Sequence, residues 1–384
     1  MNTATRGTQR LPSIDIARFF AIALVFYGHL VEQFMQSVWG RGIEHLATAA
    51  EVHYKWVYSF HMPAFFLLAG MVFNSRHLSE GIAAHLRRRW SGRVQPYLVF
   101  SAVAALMSFV IAGWFPTMGA PTAIGPLAWE SYLWGLVDTL RGLPAFSIPL
   151  WFLAALVSVE LFHYLVGRWL TTTPRRLAAI VVAYIAGIYL NRWINFFPTW
   201  TFWLVNLVPL GYAFYLSGIV VRRSGVLERT YPRWQLAVAA LVLLAGVTLT
   251  YDLNQGPFFG NFDAVIVVAG GVGHIGWFPL TALMGTALVL VVARLVPQWR
   301  WLQYLGEITI TIYGLHGLFY HFVNPRIVAP LDSSLGQWLT QSAGIGPIWA
   351  LLAVATIVTA ASVAATAPAA WAVHRYAPQL IGRG

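Results

Sequence analysis

The sequence contains no cysteine and few charged residues. None of its 384 residues is cysteine, which excludes disulfides, thiol nucleophiles and thiolate metal sites. Only 10% of the residues are charged, whereas 58% are hydrophobic, and the mean hydropathy is +0.65. A water-soluble fold of this composition would expose far more apolar surface than water tolerates. The sequence therefore predicts a membrane protein.

Apolar runs alternate with short polar segments along the whole chain. An apolar stretch of about 20 residues spans a membrane as a helix, so the sequence predicts an all-α, polytopic bundle of about ten transmembrane helices. Most of the 24 lysine and arginine residues then lie on one side of the membrane, which the positive-inside rule makes cytoplasmic. The predicted spans are about 11–35, 56–73, 96–114, 149–167, 177–191, 201–221, 235–251, 264–293, 305–323 and 346–373.

This topology places both ends of the chain in the cytoplasm. Cytoplasmic tails at 1–10 and 374–384 flank one transmembrane domain at 11–373. The net charge of +11 therefore follows from membrane orientation and does not indicate nucleic-acid binding. Within 264–293, the stretch AGGVGHIGWFP interrupts the apolar run. Because arginines follow on the cytoplasmic side, an odd number of crossings is required, which favours one broken or kinked helix over two.

The first span carries Asp15, Arg18 and His29 inside an apolar helix, where an unpaired charge costs several kcal/mol. Ten residues separate Arg18 from His29, so both side chains point to the same side of the helix, about 16 Å apart along its axis. Asp15 precedes Arg18 by one turn and can pair with it. Alternatively, Asp15 and Arg18 only anchor the helix at the interface, and His29 only makes a hydrogen bond within the bundle.

Two further histidines lie at a similar predicted depth. At about 1.5 Å per residue, His61 of the second span and His316 of the ninth fall near the membrane centre, toward the outer side, as does His29. A neutral imidazole beside a hydroxyl can act as a general base. Metal binding by the three histidines is an alternative, although the usual short ligand spacing is missing. His61 also has a structural alternative, a hydrogen bond to backbone that Pro63 leaves unpaired.

The cytoplasmic segment 85–96 is rich in arginine. Clustered guanidinium groups suit phosphate recognition through forked hydrogen bonds, although they are also an ordinary topogenic signal. Glu160 in the fourth span and Glu307 at the start of the ninth are further acids in or near the membrane. Either is a candidate partner for Arg18 or for a histidine. The arginines of the basic segment are Arg87, Arg88, Arg89 and Arg93.

Four motifs together carry a resemblance to a known family. The first is SIDIARFFAIALVFYGH at 13–29, which contains Arg18 and His29. The others are FHMPAFFLLAG at 60–70, PLWFL at 149–153 and GEITITIYGLH at 306–316. In this order, and over nearly the whole chain, they resemble the membrane-bound acyltransferase family 3.

The resemblance implies an O-acyltransferase that takes an acyl group, most commonly acetyl, from cytoplasmic acyl-CoA. The acceptor is a hydroxyl of a carbohydrate or another glycoconjugate, often at the outer side, where the segments 36–54 and 115–147 are expected to bind it. Acetyl-CoA is then a donor substrate, and no bound cofactor or metal is expected. The partners are the acyl-CoA donor, the acceptor and the lipid bilayer of a bacterial cytoplasmic (inner) membrane. Neither the identity of the acceptor nor the oligomeric state follows from the sequence.

The resemblance also implies roles for individual residues. Arg18 and His29 match the family's essential pair. His29 deprotonates the acceptor hydroxyl, directly or after an acyl-histidine step, and Arg18 orients the donor or stabilises developing negative charge. Asp15 is the ion-pair partner of Arg18, and His61 and His316 shape the pocket or relay protons.

The family's basic motif after the second span falls on the region of Arg88, Arg89 and Arg93, the expected binding site of the CoA phosphates. The chain departs from the family pattern in two places. Ala69 stands where a serine commonly precedes the glycine, and three residues rather than two separate Arg89 from Arg93.

A proton-coupled transporter or flippase is the main alternative. Such a carrier also has buried acids, arginine and histidine, and a broken eighth helix is typical of it. The two halves of the sequence lack paired, similarly interrupted segments, which weighs against this alternative. A purely structural membrane scaffold would leave the aligned charges of the first span unexplained.

Overall fold

The computed structural model describes residues 10–38, 44–110, 129–193, 201–255, 264–324, 326–329 and 346–382. Within these ranges every regular element is helical, so the predicted all-α class is confirmed. Two π-helical turns, Trp90–Val94 and Phe319–Val323, extend neighbouring helices. The α-helices are α1 (Pro12–Val38), α2 (Glu44–Tyr58), α3 (His61–Met71), α4 (Ile82–Arg89), α5 (Gln95–Val110), α6 (Trp129–Leu140), α7 (Trp151–Val166), α8 (Thr173–Trp193), α9 (Val208–Arg223), α10 (Arg233–Thr250), α11 (Trp277–Leu295), α12 (Arg300–Glu307), α13 (Thr309–Leu318) and α14 (Gly346–Tyr376).

Seven helices of the described ranges are long and apolar enough to cross a membrane. They coincide with the predicted spans in α1, α7, α8, α9, α10, α11 and α14, the helices α7, α9 and α10 being lengthened by short 3-10 turns. The other predicted spans correspond to shorter or interrupted helices: α2 followed by α3, α5, and α12 followed by α13. The chain is therefore a multi-pass membrane protein, and the total of about ten crossings and the cytoplasmic termini stay predictions.

The long helices differ in how much of their surface the protein buries. In the most apolar stretch of α1 and in that of α7, about two thirds of the residues are buried. The buried share is 11% in α10 and 17% in α8. A helix that is apolar on all sides and exposed on most of them belongs against lipid. We conclude that α1, α7 and α9 form the centre of the bundle and that α8 and α10 lie at its periphery.

Two glycines allow the central helices to approach closely. A Cβ atom at Gly70 of α3 would lie 1.9 Å from the backbone oxygen of Tyr215 in α9. A Cβ atom at Gly306 of α12 would lie 1.9 Å from the backbone oxygen of Asp15 in α1. Since no side chain fits at these distances, glycine is required at both positions. These contacts bring α3 against α9, and the end of α12 against the ionisable start of α1.

The basic segment 85–96 lies between two predicted spans, which predicts a loop, but the structure shows a helix there. Instead of a loop, α4 continues through the π-helical turn Trp90–Val94 directly into α5. The arginines of this segment therefore project from a continuous helical backbone. Their positions relative to one another are fixed by helical geometry, which a flexible loop would not provide.

Four further predicted boundaries differ from the structure. The predicted outer loop 36–54 contains the first part of α2, and the predicted outer loop 115–147 contains α6; residues 39–43 and 115–128 lie outside the described residues. The segment 264–293 is one helix rather than two, as favoured, but it is not kinked within. Its glycine-rich stretch lies before α11 as irregular structure with one 3-10 turn, Val267–Ala269. At the other end of the chain, α14 continues to Tyr376, beyond the predicted limit at 373.

Candidate active site

His29 forms a hydrogen-bonded pair with Glu32, one turn further along α1. The distance from His29 Nδ1 to Glu32 Oε2 is 3.0 Å. Both side chains are largely buried, with 14% and 10% of their surfaces exposed. The pair exists because the two residues are three positions apart and therefore share one face of the helix. It places a carboxylate directly behind the imidazole.

Hydrogen bonds from other elements hold the Glu32 carboxylate. Tyr58 at the end of α2 donates its hydroxyl to Oε2 at 3.0 Å, and Tyr320 donates its hydroxyl to Oε1 at 3.5 Å. Gln36, one turn further along α1, donates to Oε1 at 3.3 Å. A carboxylate that accepts this many hydrogen bonds is fixed in its orientation.

The orientation of Glu32 determines which nitrogen of His29 is available for chemistry. An ionised carboxylate only accepts hydrogen bonds, so the Nδ1 atom of His29 is the donor. The Nε2 atom then carries the lone pair and is free to accept a proton or to attack a carbonyl carbon. If His29 gains a positive charge during reaction, Glu32 stabilises that charge. This is the arrangement of a general base or nucleophile supported by an acid.

The structure places His316 beside His29. Their ring centroids are 5.0 Å apart, and His316 also packs on Phe26 at 4.5 Å. His316 lies in α13 and is fully buried. Two of the three predicted histidines, from the first and ninth spans, therefore meet at one level of the bundle.

His61 lies at the junction between α2 and α3, where the helical chain is interrupted. Its Nδ1 atom is 3.0 Å from the backbone oxygen of Val57 in the last turn of α2. Its ring contacts the ring of Tyr58, with a centroid separation of 4.6 Å. The first contact is a backbone hydrogen bond, as in the structural alternative, but its acceptor is Val57 rather than Ser59, whose carbonyl Pro63 leaves unpaired. The second contact supports a tyrosine that binds Glu32. Among the described residues, no group of three or more histidines and acids is arranged to hold a metal ion.

At the other end of α1, Asp15 and Arg18 belong to a network of ion pairs. Asp15 Oδ1 lies 3.7 Å from Arg18 Nη1, as the spacing predicts. The closer partner of Asp15 is Arg10, whose Nε donates to Oδ2 at 2.8 Å. Arg10 also pairs with Glu307 at the end of α12. The hydrogen bond to Asp15 raises the pKa of Arg10, and the bond to Glu307 raises it further.

Arg18 lines an open cleft together with Arg93. The cleft has a volume of about 500 Å³ including its open mouth. Apart from the two guanidinium groups, its walls are formed by small, aliphatic and aromatic side chains and one threonine. These are Phe65, Leu68, Ala69, Val72, Phe152, Leu153, Leu156, Thr309, Ile310 and Tyr313. A narrow apolar cleft with positive charge suits a ligand that has an anionic end and an uncharged arm.

The predicted phosphate-binding arginines separate into two groups. Arg89 and Arg93 converge on Glu160 of α7, with N–O distances of 2.6 Å and 3.4 Å. Arg88 instead forms a forked pair with Glu80, with both N–O distances at 2.7 Å. The structure therefore brings Arg93 and Arg89 to the cleft region, whereas Arg88 pairs with a separate acid.

Glu80 is also bound by a histidine. The Nδ1 atom of His77 lies 2.9 Å from Glu80 Oε1. The hydrogen bond from His77 lowers the pKa of Glu80, and the nearby Arg88 guanidinium lowers it further. This cluster holds the last turn of α4 to the turn that precedes the helix.

Aromatic rings connect the cleft to the histidine pair. Tyr313 forms part of the cleft wall, and its ring lies 6.5 Å from the ring of His316. His316 in turn lies 5.0 Å from His29. The arginine cleft near one end of α1 and His29 near the other are therefore linked through residues of α13.

The sequence prediction did not include Glu32, Tyr58 or Tyr320 among the site residues. The spacing of Glu32 from His29 equals the spacing of Arg18 from Asp15, so the helical period was a sufficient signal for it. The two tyrosines come from other elements, and no local pattern indicates that they meet Glu32.

Comparison with known proteins shows to which family the chain belongs. The family model described as an acyltransferase domain, that of acyltransferase family 3, matches residues 11–367. Curated proteins and solved structures give no match. Because the family match covers most of the chain, the resemblance carried by the four motifs is confirmed, and this multi-pass membrane protein belongs to the acyltransferase 3 family.

Proposed function

We propose that this acyltransferase moves an acyl group, most commonly acetyl, from cytoplasmic acyl-CoA to a hydroxyl of a carbohydrate acceptor at the outer side of a bacterial inner membrane. The single observation that carries the proposal is the His29–Glu32 pair, with His316 in contact and an arginine-lined cleft reaching the same helix. A proton-coupled carrier also uses buried acids and histidines, and the family match is what favours acyl transfer over transport.

In this proposal the donor lies along the cleft. The phosphates of CoA bind Arg93 and Arg89, because guanidinium groups bind phosphate through forked, charge-assisted hydrogen bonds. Arg18 orients the acyl end and stabilises negative charge that develops on it. The uncharged arm of CoA follows the apolar walls toward Tyr313 and His316.

His29 then carries the proton transfer. As the acceptor oxygen attacks the thioester carbonyl, His29 Nε2 takes the proton of the acceptor hydroxyl, and the carbon–sulfur bond breaks. The leaving sulfur atom of CoA takes this proton from the imidazolium, which restores neutral His29. In the two-step variant, Nε2 first attacks the carbonyl and CoA leaves as a thiolate; the acceptor hydroxyl then attacks the acyl-histidine, the bond from the acyl carbon to Nε2 breaks, and the acceptor's proton passes through the freed imidazole to the thiolate. Glu32 stabilises the positive imidazolium in either route.

The experiment compares the wild type with His29→Ala at matched membrane levels. Acetyl content of purified surface polysaccharides is measured by mass spectrometry and NMR, and transfer or hydrolysis by the purified protein is measured with labelled acetyl-CoA. We expect His29→Ala to lose both signals. His274→Ala removes an exposed imidazole from the irregular segment before α11 and should leave both unchanged. Full activity in His29→Ala would refute the mechanism, and absence of any reaction of acetyl-CoA with the wild type would favour a transporter.

A further inference from the structure

We propose that Glu160 is a displaceable counter-ion that occupies the phosphate site formed by Arg89 and Arg93. In the empty protein, Glu160 neutralises the two guanidinium groups, and a donor phosphate binds by replacing it. The inference rests on the proposed function, since it concerns the CoA end of the same site. It assigns to Glu160 control of donor affinity, as a positioning residue that acts through the two arginines.

The first support is the position of Glu160 relative to the cleft. Leu153 and Leu156 of α7 line the cleft, and Glu160 follows Leu156 by four residues. Residues four apart share a helix face, so Glu160 continues the wall of the cleft by one turn. Arg93 lies in the cleft wall and contacts Glu160 at the same time. An anion that enters the cleft therefore meets Arg93 beside the carboxylate that already binds it.

The second support is the unused bonding capacity of the two arginines. The Nε–H groups of Arg89 and Arg93 are buried and have no hydrogen-bond acceptor among the described residues. Buried donors without an acceptor are rare in folded proteins and call for an explanation. Glu160 offers one oxygen to each arginine, whereas a phosphate group offers more acceptor oxygens. A phosphate would therefore satisfy donors that Glu160 leaves unused.

The third support is the cost of leaving these charges without a partner. The side chains of Arg89 and Glu160 are only 11% and 6% exposed. A buried cation that loses its counter-ion destabilises the protein, because it has given up its hydration without compensation. An acid must therefore neutralise the pocket while the donor is absent. When the phosphate arrives, that acid competes with it and limits its affinity, so that CoA can dissociate after transfer.

The test measures binding of CoA to the purified protein in nanodiscs of phosphatidylcholine, which contain no anionic lipid that would compete for the site. Binding is measured by isothermal titration calorimetry, and the donor KM and kcat by labelled acetyl-CoA assay. We expect Glu160→Gln to bind CoA about tenfold more tightly, because it removes a negative charge adjacent to the phosphate site. The thermal stabilisation that saturating CoA confers should also be larger in Glu160→Gln than in the wild type.

Three variants separate this effect from a general loss of structure. Glu160→Asp keeps the charge and should keep the dissociation constant within about threefold of the wild type. Arg89→Gln combined with Glu160→Gln should lose the gain in affinity, since Glu160 acts through Arg89. Glu228→Gln removes the same charge from a pair with Arg222 in the turn after α9 and should not change CoA binding.

The outcomes separate the two proposals. Equal or weaker CoA binding by Glu160→Gln, with normal binding by the wild type, would overturn the role of Glu160 and leave the donor site intact. If neither protein bound CoA, the donor site itself would be refuted, and the role of Glu160 with it.

Discussion

Replacing Glu32 by glutamine tests the central feature of the site. Glutamine has the shape of glutamate but only one side-chain oxygen, so it keeps an oxygen acceptor for Tyr58, which binds Oε2, or for Tyr320, which binds Oε1, but not for both. The change removes the negative charge 3.0 Å from His29 Nδ1 and offers an amide N–H group in place of one oxygen. If that N–H group faces His29, the imidazole adopts the other tautomer, and its Nε2 atom carries the proton and cannot act as a base.

The expected loss of kcat in Glu32→Gln follows from the negative charge that is missing when His29 becomes an imidazolium. In the reacting state His29 is an imidazolium, and the buried Glu32 carboxylate hydrogen-bonded to it balances that charge. In hydrolases with a histidine held by a carboxylate, the equivalent change to the amide lowers kcat by about 10⁴-fold. We expect about 10²- to 10⁴-fold for Glu32→Gln, which is about 3 to 5 kcal/mol of transition-state stabilisation. The donor KM should change little, because about 21 Å of helix separates Glu32 from Arg18.

The assay measures kcat and the donor KM with labelled acetyl-CoA on protein purified at matched yield. The matched control is Glu51→Gln, an acid-to-amide change in α2 that removes an ion pair with Lys55 and leaves the His29 site untouched. Thermal unfolding in detergent checks that both variants fold. A kcat of Glu32→Gln within about twofold of the wild type would refute the role given to the His29–Glu32 pair.

Three further predictions concern the cleft, the helix packing and the hydrogen bond between His77 and Glu80. Arg18→Gln should raise the KM for acetyl-CoA about tenfold, as expected for the loss of one charged hydrogen bond, and Arg18→Lys should recover part of the loss; an unchanged KM would exclude a contact with the donor. Gly70→Ala should lower thermal stability by about 1 to 3 kcal/mol, because its Cβ atom would overlap a backbone oxygen of α9. A Cβ atom at Gly81 would have no neighbouring atom within 4 Å, so the control variant Gly81→Ala should leave the melting temperature unchanged. The hydrogen bond from His77 lowers the pKa of Glu80, so the contribution of Glu80 is complete above pH 4.5 and is lost as the pH falls through its lowered value; a Glu80→Gln variant should show less loss of thermal stability below that pH.

The local sequence pattern was sufficient to predict the long helices, but it was not sufficient to predict the helix in the basic segment 85–96. A continuous apolar run of about 20 residues has one stable form in a membrane, which is why the sequence predicts α1, α7 and α14 closely. In α4 the residues Ile82 and Leu86 recur four apart and are about half exposed, with arginines on the remaining surface. This is an amphipathic helix of the kind that lies at a membrane surface. Low mean hydropathy and a glycine make such a segment resemble a loop.

The candidate site was predictable only where its residues share a helix. The spacing of Asp15, Arg18 and His29 on α1 follows from 3.6 residues per turn, and it agrees with the observed Asp15–Arg18 pair. The partner of Glu160 could not be predicted, because it depends on how α7 packs against α4 and α5. For the same reason the sequence left Glu307 without an assigned partner, whereas the structure pairs it with Arg10.

The two buried acids beside the proposed reaction path have a common physical role. Charge inside a membrane bundle must be neutralised at every stage of a reaction, since an unpaired ion there costs several kcal/mol. On the donor side the arginines are permanently charged, so Glu160 neutralises them until a phosphate takes its place. Near the other end of α1, the positive charge on His29 forms during transfer, and the Glu32 carboxylate is already held beside it by tyrosine hydroxyl groups. Each acid therefore balances a positive charge at a stage of the cycle when no substrate group balances it: Glu160 before the donor binds, and Glu32 during transfer. The chemistry of transfer needs both acids.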